Sequence, residues 1–154
     1  MKKYRIIMMS VAMLMASISL MAQHVTTTLK GSGLVGMYGF PCTLTIKPDG
    51  NGIIEGEATK ELSSITVKFK AQPHILYEAL KNGFIWSYIK DITVSPFTIQ
   101  DKKSQSAITP KGNAKFTSIA NTDAGTIKLY VRFPTSSANG QSVSEIEFKF
   151  PKNN

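Results

Sequence analysis

Apolar and polar residues alternate over many short stretches of the chain, with the period of two that is typical of strands. The clearest alternation lies in residues 42–46, 65–70, 127–133 and 146–150, and turn-forming glycine, proline and asparagine residues separate such stretches. Strands with one apolar and one polar face are characteristic of antiparallel sheets that have one solvated side. The pattern therefore predicts a mainly β fold, with about eight antiparallel strands forming a barrel or a barrel-like sandwich.

A first strand over residues 25–29 and a first hairpin are predicted in the N-terminal half. Residues 42–46 and 53–58 provide the two strands of the hairpin, because the sequence Pro-Asp-Gly-Asn-Gly between them favours a tight turn. Asp49, Asn51 and Glu55 also invite comparison with a calcium-binding loop. No glutamate follows in the register that an EF-hand loop requires, so a plain turn is predicted.

One short helix is predicted over residues 73–82. Pro73 suits the first turn of a helix, and the Asn-Gly pair at 82–83 favours its end. Apolar residues at positions 75, 76, 79 and 80 fall on one side at helical spacing. A helix of this length is not stable alone, so we expect it to dock on an apolar surface.

The aromatic segment that follows the helix supplies the candidate ligand-binding residues. Phe84, Trp86 and Tyr88 alternate with Ile85 and Ser87, which predicts a strand with the three aromatic rings on one face. One interpretation is a central strand, covered by the helix on one side and by the core on the other. The other is an aromatic strip that lines a pocket or stacks on a sugar or lipid ring.

A repeated pattern links the two halves of the chain. Residues 46–51 and 108–113 share the sequence Ile-x-Pro-x-Gly-Asn, and at the same displacement the apolar alternation of 65–69 falls on that of 127–131. A duplicated unit of several strands would explain both matches. The sequence pattern of a turn followed by a strand recurs in any all-β protein and would explain both matches equally well. Either explanation favours consecutive strands joined by hairpins.

Residues 1–22 have the three-part layout of a secretory signal peptide. Lys2, Lys3 and Arg5 come first, an apolar run follows, and small residues precede Gln23. Cleavage after Ala22 leaves a single β domain at 23–154, whereas retention would make the leader a membrane anchor. No later stretch is long and apolar enough to span a bilayer. We therefore expect export to the periplasm, the outer surface or the exterior.

The charge of the chain weakens once the leader is set aside. The formal net charge of the full chain is +8, and removing the three cations of the leader leaves +5. The remaining lysines are dispersed, which predicts a mild attraction to anionic surfaces such as lipid head groups or acidic glycans. Export argues against a role with nucleic acid.

Residues that carry catalytic or metal chemistry do not form a recognisable pattern. Cys42 is the only cysteine and lies in phase with apolar neighbours, which predicts a buried thiol, no internal disulfide and no lipid anchor. His24 and His74 are the only histidines, and neither has a patterned partner. Glu55 and Glu57 share a strand face, as solvated carboxylates commonly do. The sequence therefore predicts no enzyme, no metal site and no cofactor.

The chain resembles the secreted calycin-like or lipocalin-like domains of bacterial envelopes. The likeness rests on the leader, on about eight short strands with glycine-rich turns, and on a closing pair of strands at 126–133 and 144–150. Gly36-Met37-Tyr38 is the nearest approach to the Gly-x-Trp sequence of lipocalins. The resemblance implies a sheet that closes into a barrel whose interior holds one small ligand, and it assigns no binding residue.

Two functional hypotheses follow. The first is a secreted or periplasmic, non-enzymatic binding protein that holds a small apolar or amphipathic ligand in a β-barrel lined by Phe84, Trp86 and Tyr88. The alternative is an envelope interaction or structural module that binds another protein or a glycan through its outer β-surface. A carrier requires an apolar cavity of at least several hundred Å³. A module requires an exposed apolar patch or an uncovered edge strand.

Overall fold

A computed structural model describes residues 25–119, 125–137 and 140–152, and the expected signal peptide at 1–22 and His24 lie outside these ranges. Ten strands, one α-helix and one 3₁₀ helix are present in the described ranges. The strands are β1 (Thr27–Val35), β2 (Tyr38–Ile46), β3 (Asn51–Gly56), β4 (Ile65–Lys70), β5 (Thr93–Val94), β6 (Phe97–Gln100), β7 (Gln105–Ile108), β8 (Lys115–Ile119), β9 (Thr126–Ser137) and β10 (Gly140–Pro151). The helices are α1 (Pro73–Lys81) and the 3₁₀ helix Gly83–Tyr88.

Eight of the strands form one antiparallel sheet in the order β5-β4-β3-β2-β1-β10-β9-β8. The sheet is strongly curled into a half-barrel, and β6 and β7 form a small second sheet. The two edges of the half-barrel approach one another at a bridge next to β5 and β8, where the N–H of Ala114 donates to the carbonyl of Ile92 (3.3 Å). The predicted mainly β, antiparallel architecture is therefore confirmed, with a half-barrel as its observed form.

The predicted hairpin of the N-terminal half is confirmed by the pairing of β2 with β3. Its turn depends on Gly50, which has a φ of +90° and whose added Cβ would lie 2.1 Å from the carbonyl oxygen of Ala71. A side chain is therefore excluded there both by backbone conformation and by space. The carboxylate of Asp49 accepts bonds from the backbone N–H (3.0 Å) and the side-chain amide (2.7 Å) of Asn51, as in an Asx turn.

Helix α1 is confirmed over almost the predicted range, with Pro73 in its first turn. Leu76, Ala79 and Leu80 are fully buried, so its apolar side packs into the concave face of the half-barrel. The N–H of Asn82 donates to the carbonyl of Glu78 (2.8 Å) and ends the helix. The apolar stripe, rather than the intrinsic propensity of nine residues, accounts for the stability of this helix.

The predicted aromatic strand at 84–88 is wrong, because Gly83–Tyr88 is a 3₁₀ helix. Residues three apart on a 3₁₀ helix lie on the same side. Trp86 and Ile89, which are three apart, are buried, whereas Tyr88 is exposed. The N–H of Ile89 donates to the carbonyl of Trp86 (3.1 Å), which continues the tight winding to the end of the segment.

Pro96 lies between two strands that belong to different sheets. β5 ends at Val94 and pairs with β4, whereas β6 begins at Phe97 and pairs with β7. The ring of Phe97 is buried against Phe133 of β9 in an edge-to-face arrangement, with the centroids 6.3 Å apart. The small sheet thereby covers part of the concave face of the half-barrel.

The sequence repeat has a partial counterpart in the fold. Gly50 and Gly112 occupy equivalent positions in the repeat and both have positive φ, at +90° and +74°. The β8–β9 pair takes the place of the β3–β4 pair, since both are antiparallel neighbours in the large sheet. The correspondence ends there, because β7 pairs with β6 and not with β8. Duplication of a larger unit stays a prediction.

Candidate functional site

The three aromatic residues predicted to line a ligand pocket are not brought to one face. Trp86 is fully buried, whereas the side chain of Tyr88 is 76% exposed at the end of the 3₁₀ helix. The side chain of Phe84 lies outside the described part of the structure. A shared aromatic face is therefore not formed by Trp86 and Tyr88, and a role of these residues in ligand binding stays a prediction.

Trp86 is fully buried against β4 and β8, which lie towards opposite edges of the half-barrel. Its ring lies edge-on to Phe69 and Phe116, with centroid distances of 5.6 and 5.4 Å. Its Nε1–H donates to the carbonyl of Ala79 at 2.7 Å. That carbonyl belongs to the last turn of α1, where backbone oxygens lack partners within the helix. Trp86 is therefore part of the packed core and also donates a hydrogen bond to the Ala79 carbonyl at the end of α1.

Glycines of the inner face are covered by aromatic rings from neighbouring strands. A Cβ added to Gly33 would lie 2.2 Å from the ring of Phe40, and one added to Gly31 would lie 2.5 Å from the ring of Phe150. Gly52 stands in the same relation to Phe69, at 2.1 Å. The rings thus occupy the space that larger side chains or a ligand would take. In the described part of the chain, the inner face is a packed core.

The outer face of the sheet carries an open depression across β2, β1 and β10, with a volume of about 510 Å³. We call it the outer trough. Two rows of the sheet form it. Ser32 lies opposite both Pro41 and Lys149, and Leu34 lies opposite both Gly39 and Glu147. Because Ser32 and Gly39 are small, the outer surface is recessed between the larger side chains. The trough residues that the sequence interpretation missed are Ser32, Leu34, Gly39, Pro41, Glu147 and Lys149.

Lysines surround one side of the outer trough. Lys149 lies directly opposite Lys128 of β9, at the separation of about 4.5–5.5 Å usual for facing Cβ atoms. Lys30 lies two residues before Ser32, which makes it a diagonal neighbour of Lys149 at about 7–8 Å. Glu147 forms an ion pair with Lys128 at 3.7 Å. Among the side chains that the structure describes, Lys30 and Lys149 form no ion pair.

Glu147 also perturbs the tyrosine beside it. Tyr130 lies opposite Glu147 across β9 and β10. Partial burial raises the pKa of the Tyr130 phenol, and the negative charge of Glu147 raises it further. Glu147 is thus engaged by Lys128 and Tyr130, so it neutralises Lys128 and leaves Lys149 to face solvent and the trough. The electrostatic character of this part of the outer face is positive.

The remaining chemical groups do not converge. Burial raises the pKa of the Cys42 thiol to about 12, which keeps it protonated and unreactive at neutral pH. His74 is exposed on α1, and Glu55 is exposed on the outer face of β3. The hydrogen bond from the Asn51 backbone lowers the pKa of Asp49. Within the described ranges, no group of three or more His, Cys, Asp or Glu side chains is placed to hold a metal ion.

No helix in the part of the chain that the structure describes is long and apolar enough to cross a bilayer. No family model, no curated protein and no solved structure matches this chain. Function must therefore be inferred from the packing and charges of its own residues.

Proposed function

We propose that the protein is a non-enzymatic binding module, exported to the cell envelope or exterior, that recognises an acidic glycan through the outer trough. This is the interaction-module hypothesis with one ligand class chosen. The main observation in support of this proposal is the contrast between the two faces of the sheet. The inner face is packed with apolar side chains that include Trp86. The outer face has an open depression beside Lys30 and Lys149, which have no carboxylate partner within the described ranges.

The groups in and beside the trough match the three chemical features of an acidic sugar. Lys149 and Lys30 suit carboxylate or sulfate groups, because charge-assisted hydrogen bonds are the strongest that a surface site offers. Ser32 and Glu147 suit hydroxyl groups. Leu34 and Pro41 provide apolar surface for the C–H faces of a sugar ring.

An extended polymer fits this surface better than a compact small molecule. The trough crosses three strands and is open to solvent, so it does not enclose a ligand. The positive surface runs from Lys149 to its diagonal neighbour Lys30 on β1, whereas Lys128 on β9 is paired with Glu147. A chain of several acidic sugars laid across the strands would contact the trough and the lysines together, and its affinity would come from several weak contacts.

Affinity measurements with acidic and neutral polysaccharides test the proposal. The chain beginning at Gln23 should bind polygalacturonate, alginate or heparin at low ionic strength and should not bind dextran. The double variant Lys30→Glu/Lys149→Glu should lose at least tenfold in affinity, since each lost charge-assisted contact is worth about 1 kcal/mol or more. Added salt should weaken binding, because exposed charges are screened over about 10 Å at 0.1 M.

The matched control is Lys102→Glu/Lys103→Glu, which makes the same change in net charge in the exposed segment between β6 and β7. It should retain most of the affinity. Equal losses in both double variants would reduce the effect to net charge and would refute a site at the trough. Failure of the protein to bind any acidic polysaccharide would refute the proposal itself.

The carrier hypothesis stays a prediction, and it makes a different demand on the protein. A ligand inside the half-barrel would have to displace the side chain of Trp86 or one of the rings that cover the inner-face glycines, namely Phe40, Phe69 and Phe150. Native mass spectrometry of protein taken from its own host tests this directly. A co-purifying small apolar molecule, together with a change in the emission of the only tryptophan, would favour the carrier.

A further inference from the structure

The turn between β1 and β2 presents an apolar side chain at the end of the half-barrel. Met37 is 83% exposed, the largest exposure among the large apolar side chains that the structure describes. Its neighbour Gly36 has a φ of +58°, and a Cβ added there would meet no atom within 4 Å. The turn therefore projects freely from the sheet. We call residues 35–38 the hairpin tip.

Backbone hydrogen bonding at the hairpin tip is nearly complete. The pairing of β1 with β2 continues to Val35 and Tyr38, so only Gly36 and Met37 lie beyond the ladder. Open edges and irregular loops are poorly tolerated in lipid because their backbone groups lack partners there. A two-residue turn leaves few such groups, and the tip can enter an apolar medium with little loss of backbone hydrogen bonding.

The segment that carries the tip has no charged side chain from residue 31 to residue 46, and Lys30 and Lys47 flank it. The exposed residues that lead into the turn, Ser32, Leu34, Gly36 and Met37, are therefore all uncharged. The tip also includes Tyr38, a residue type enriched at the boundary between lipid and water. The composition is that of a segment able to contact lipid.

A second exposed apolar residue lies at the same end of the sheet. Leu34 pairs with Glu147, so the register places the turn of the hairpin tip alongside the part of β10 that precedes Glu147. Val143, four residues before Glu147, is 66% exposed and lies opposite Pro134. Two independent parts of the chain therefore present apolar side chains at one end of the outer face.

Cations accompany these apolar residues. The N–H of Lys111 donates to the carbonyl of Pro134 (2.8 Å), which places Lys111 near Val143. Lys115 begins β8 and lies opposite Arg132. Arg132 is neutralised by Glu145 at 3.2 Å, whereas Lys111 and Lys115 form no ion pair within the described ranges. The end of the sheet is thus apolar at its tip and positive around it.

We infer that this end of the protein docks on an anionic lipid bilayer, with Met37 inserted among the acyl chains and the lysines near the head groups. A fluid surface suits the hairpin tip because the tip is convex. A protein partner would instead need a pocket whose shape matches the projecting side chain of Met37. Anionic head groups complement Lys111 and Lys115, for which the described residues supply no ion-pair partner. Insertion of one or two apolar side chains gives reversible binding, because such contacts are individually weak.

Vesicle co-sedimentation of the chain beginning at Gln23 tests the inference. The protein should bind vesicles containing phosphatidylglycerol and should bind phosphatidylcholine vesicles much less. Met37→Asp should weaken binding about tenfold, since it removes the burial of one large apolar side chain and adds repulsion. Tyr88→Asp is the matched control, because Tyr88 is similarly exposed at 76% and receives the same charge. It should bind like the unaltered protein.

A probe at the tip separates insertion from simple charge attraction. Met37→Cys can be labelled selectively with a nitrobenzoxadiazole dye, because the native Cys42 is only 3% exposed. On adding anionic vesicles, the dye emission should shift to the blue and increase. No shift, or equal binding by the Met37→Asp and Tyr88→Asp proteins, would overturn the inference. A Met37-dependent dimer in analytical ultracentrifugation without vesicle binding would also overturn it and would assign the tip to self-association.

Discussion

Replacing Trp86 with alanine should destabilise the protein by about 3–5 kcal/mol, the range typical of truncating a fully buried large aromatic side chain. The side chain has no exposed surface and contacts the rings of Phe69 and Phe116. Domains are commonly stable by about 5–15 kcal/mol, so this loss is a large share of the total. At roughly 4 °C for each kcal/mol in a domain of this size, the melting temperature should fall by roughly 12–20 °C.

A phenylalanine at the same position isolates the hydrogen bond from the packing. Trp86→Phe keeps an aromatic ring but removes the donor to the carbonyl of Ala79, which is itself buried. An unpaired buried acceptor costs about 1–3 kcal/mol, and the smaller ring adds a packing loss. Urea unfolding should be followed by far-ultraviolet circular dichroism, because both variants lack the only tryptophan of the chain.

Tyr88→Ala provides the control within the same 3₁₀ helix. Because Tyr88 is 76% exposed, its truncation should change stability by no more than about 0.5 kcal/mol. Stability of the Trp86→Ala protein within about 1 kcal/mol of the unaltered chain would refute the structural role of Trp86. That result would return Trp86 to the role of a residue lining a space that a ligand normally fills.

Further tests concern a glycine pair and the buried thiol. Gly33→Ala should destabilise the protein by about 1–3 kcal/mol, because its Cβ would overlap the ring of Phe40. Gly39→Ala on the outer face should be tolerated, since the nearest atom to its Cβ would lie at 3.8 Å. Thermal melts of both variants test this pair of predictions. Cys42 should not react with a thiol reagent at pH 8 in the folded protein, but one thiol per chain should react in denaturant. Burial raises the pKa of the Cys42 thiol in the folded protein from 9.0 to about 12. The stability that the protonated thiol contributes should therefore be complete below pH 9 and should be lost as the pH rises towards 12. In urea unfolding experiments at several pH values, Cys42→Ala should lose less stability at alkaline pH.

The elements that the sequence predicts correctly are those whose determinants are local. The β2–β3 hairpin follows from alternation on both sides of a turn with Gly50, and α1 follows from Pro73 and a four-residue apolar stripe. The 3₁₀ helix was mispredicted because its rings alternate as in a strand. The spacing that indicates a 3₁₀ helix is the three-residue step from Trp86 to Ile89. That step is recognisable only once the structure shows that both residues are buried in the core.

The outer trough could not be predicted because its determinants are distant in the sequence. Leu34 and Glu147 face each other although they are 113 residues apart, and their pairing depends on the placement of β10 beside β1. Local alternation shows that Ser32 and Leu34 face away from the core. It does not show which strand lies next to them, so neither the recess nor the lysines around it follow from the sequence.

Small residues have opposite consequences on the two faces of this sheet. On the inner face, Gly31 and Gly33 are covered by the rings of Phe150 and Phe40, so the absence of side chains there produces dense packing and no cavity. On the outer face, no ring of a neighbouring strand covers Gly39, and the absence of a side chain there leaves a recess. Binding inside the half-barrel would require core aromatic side chains to move. The packing free energy lost would be comparable to the value of about 3–5 kcal/mol expected for truncating Trp86. Binding in the outer trough would require no such rearrangement, and this difference in free energy supports the proposal that recognition takes place on the outer face.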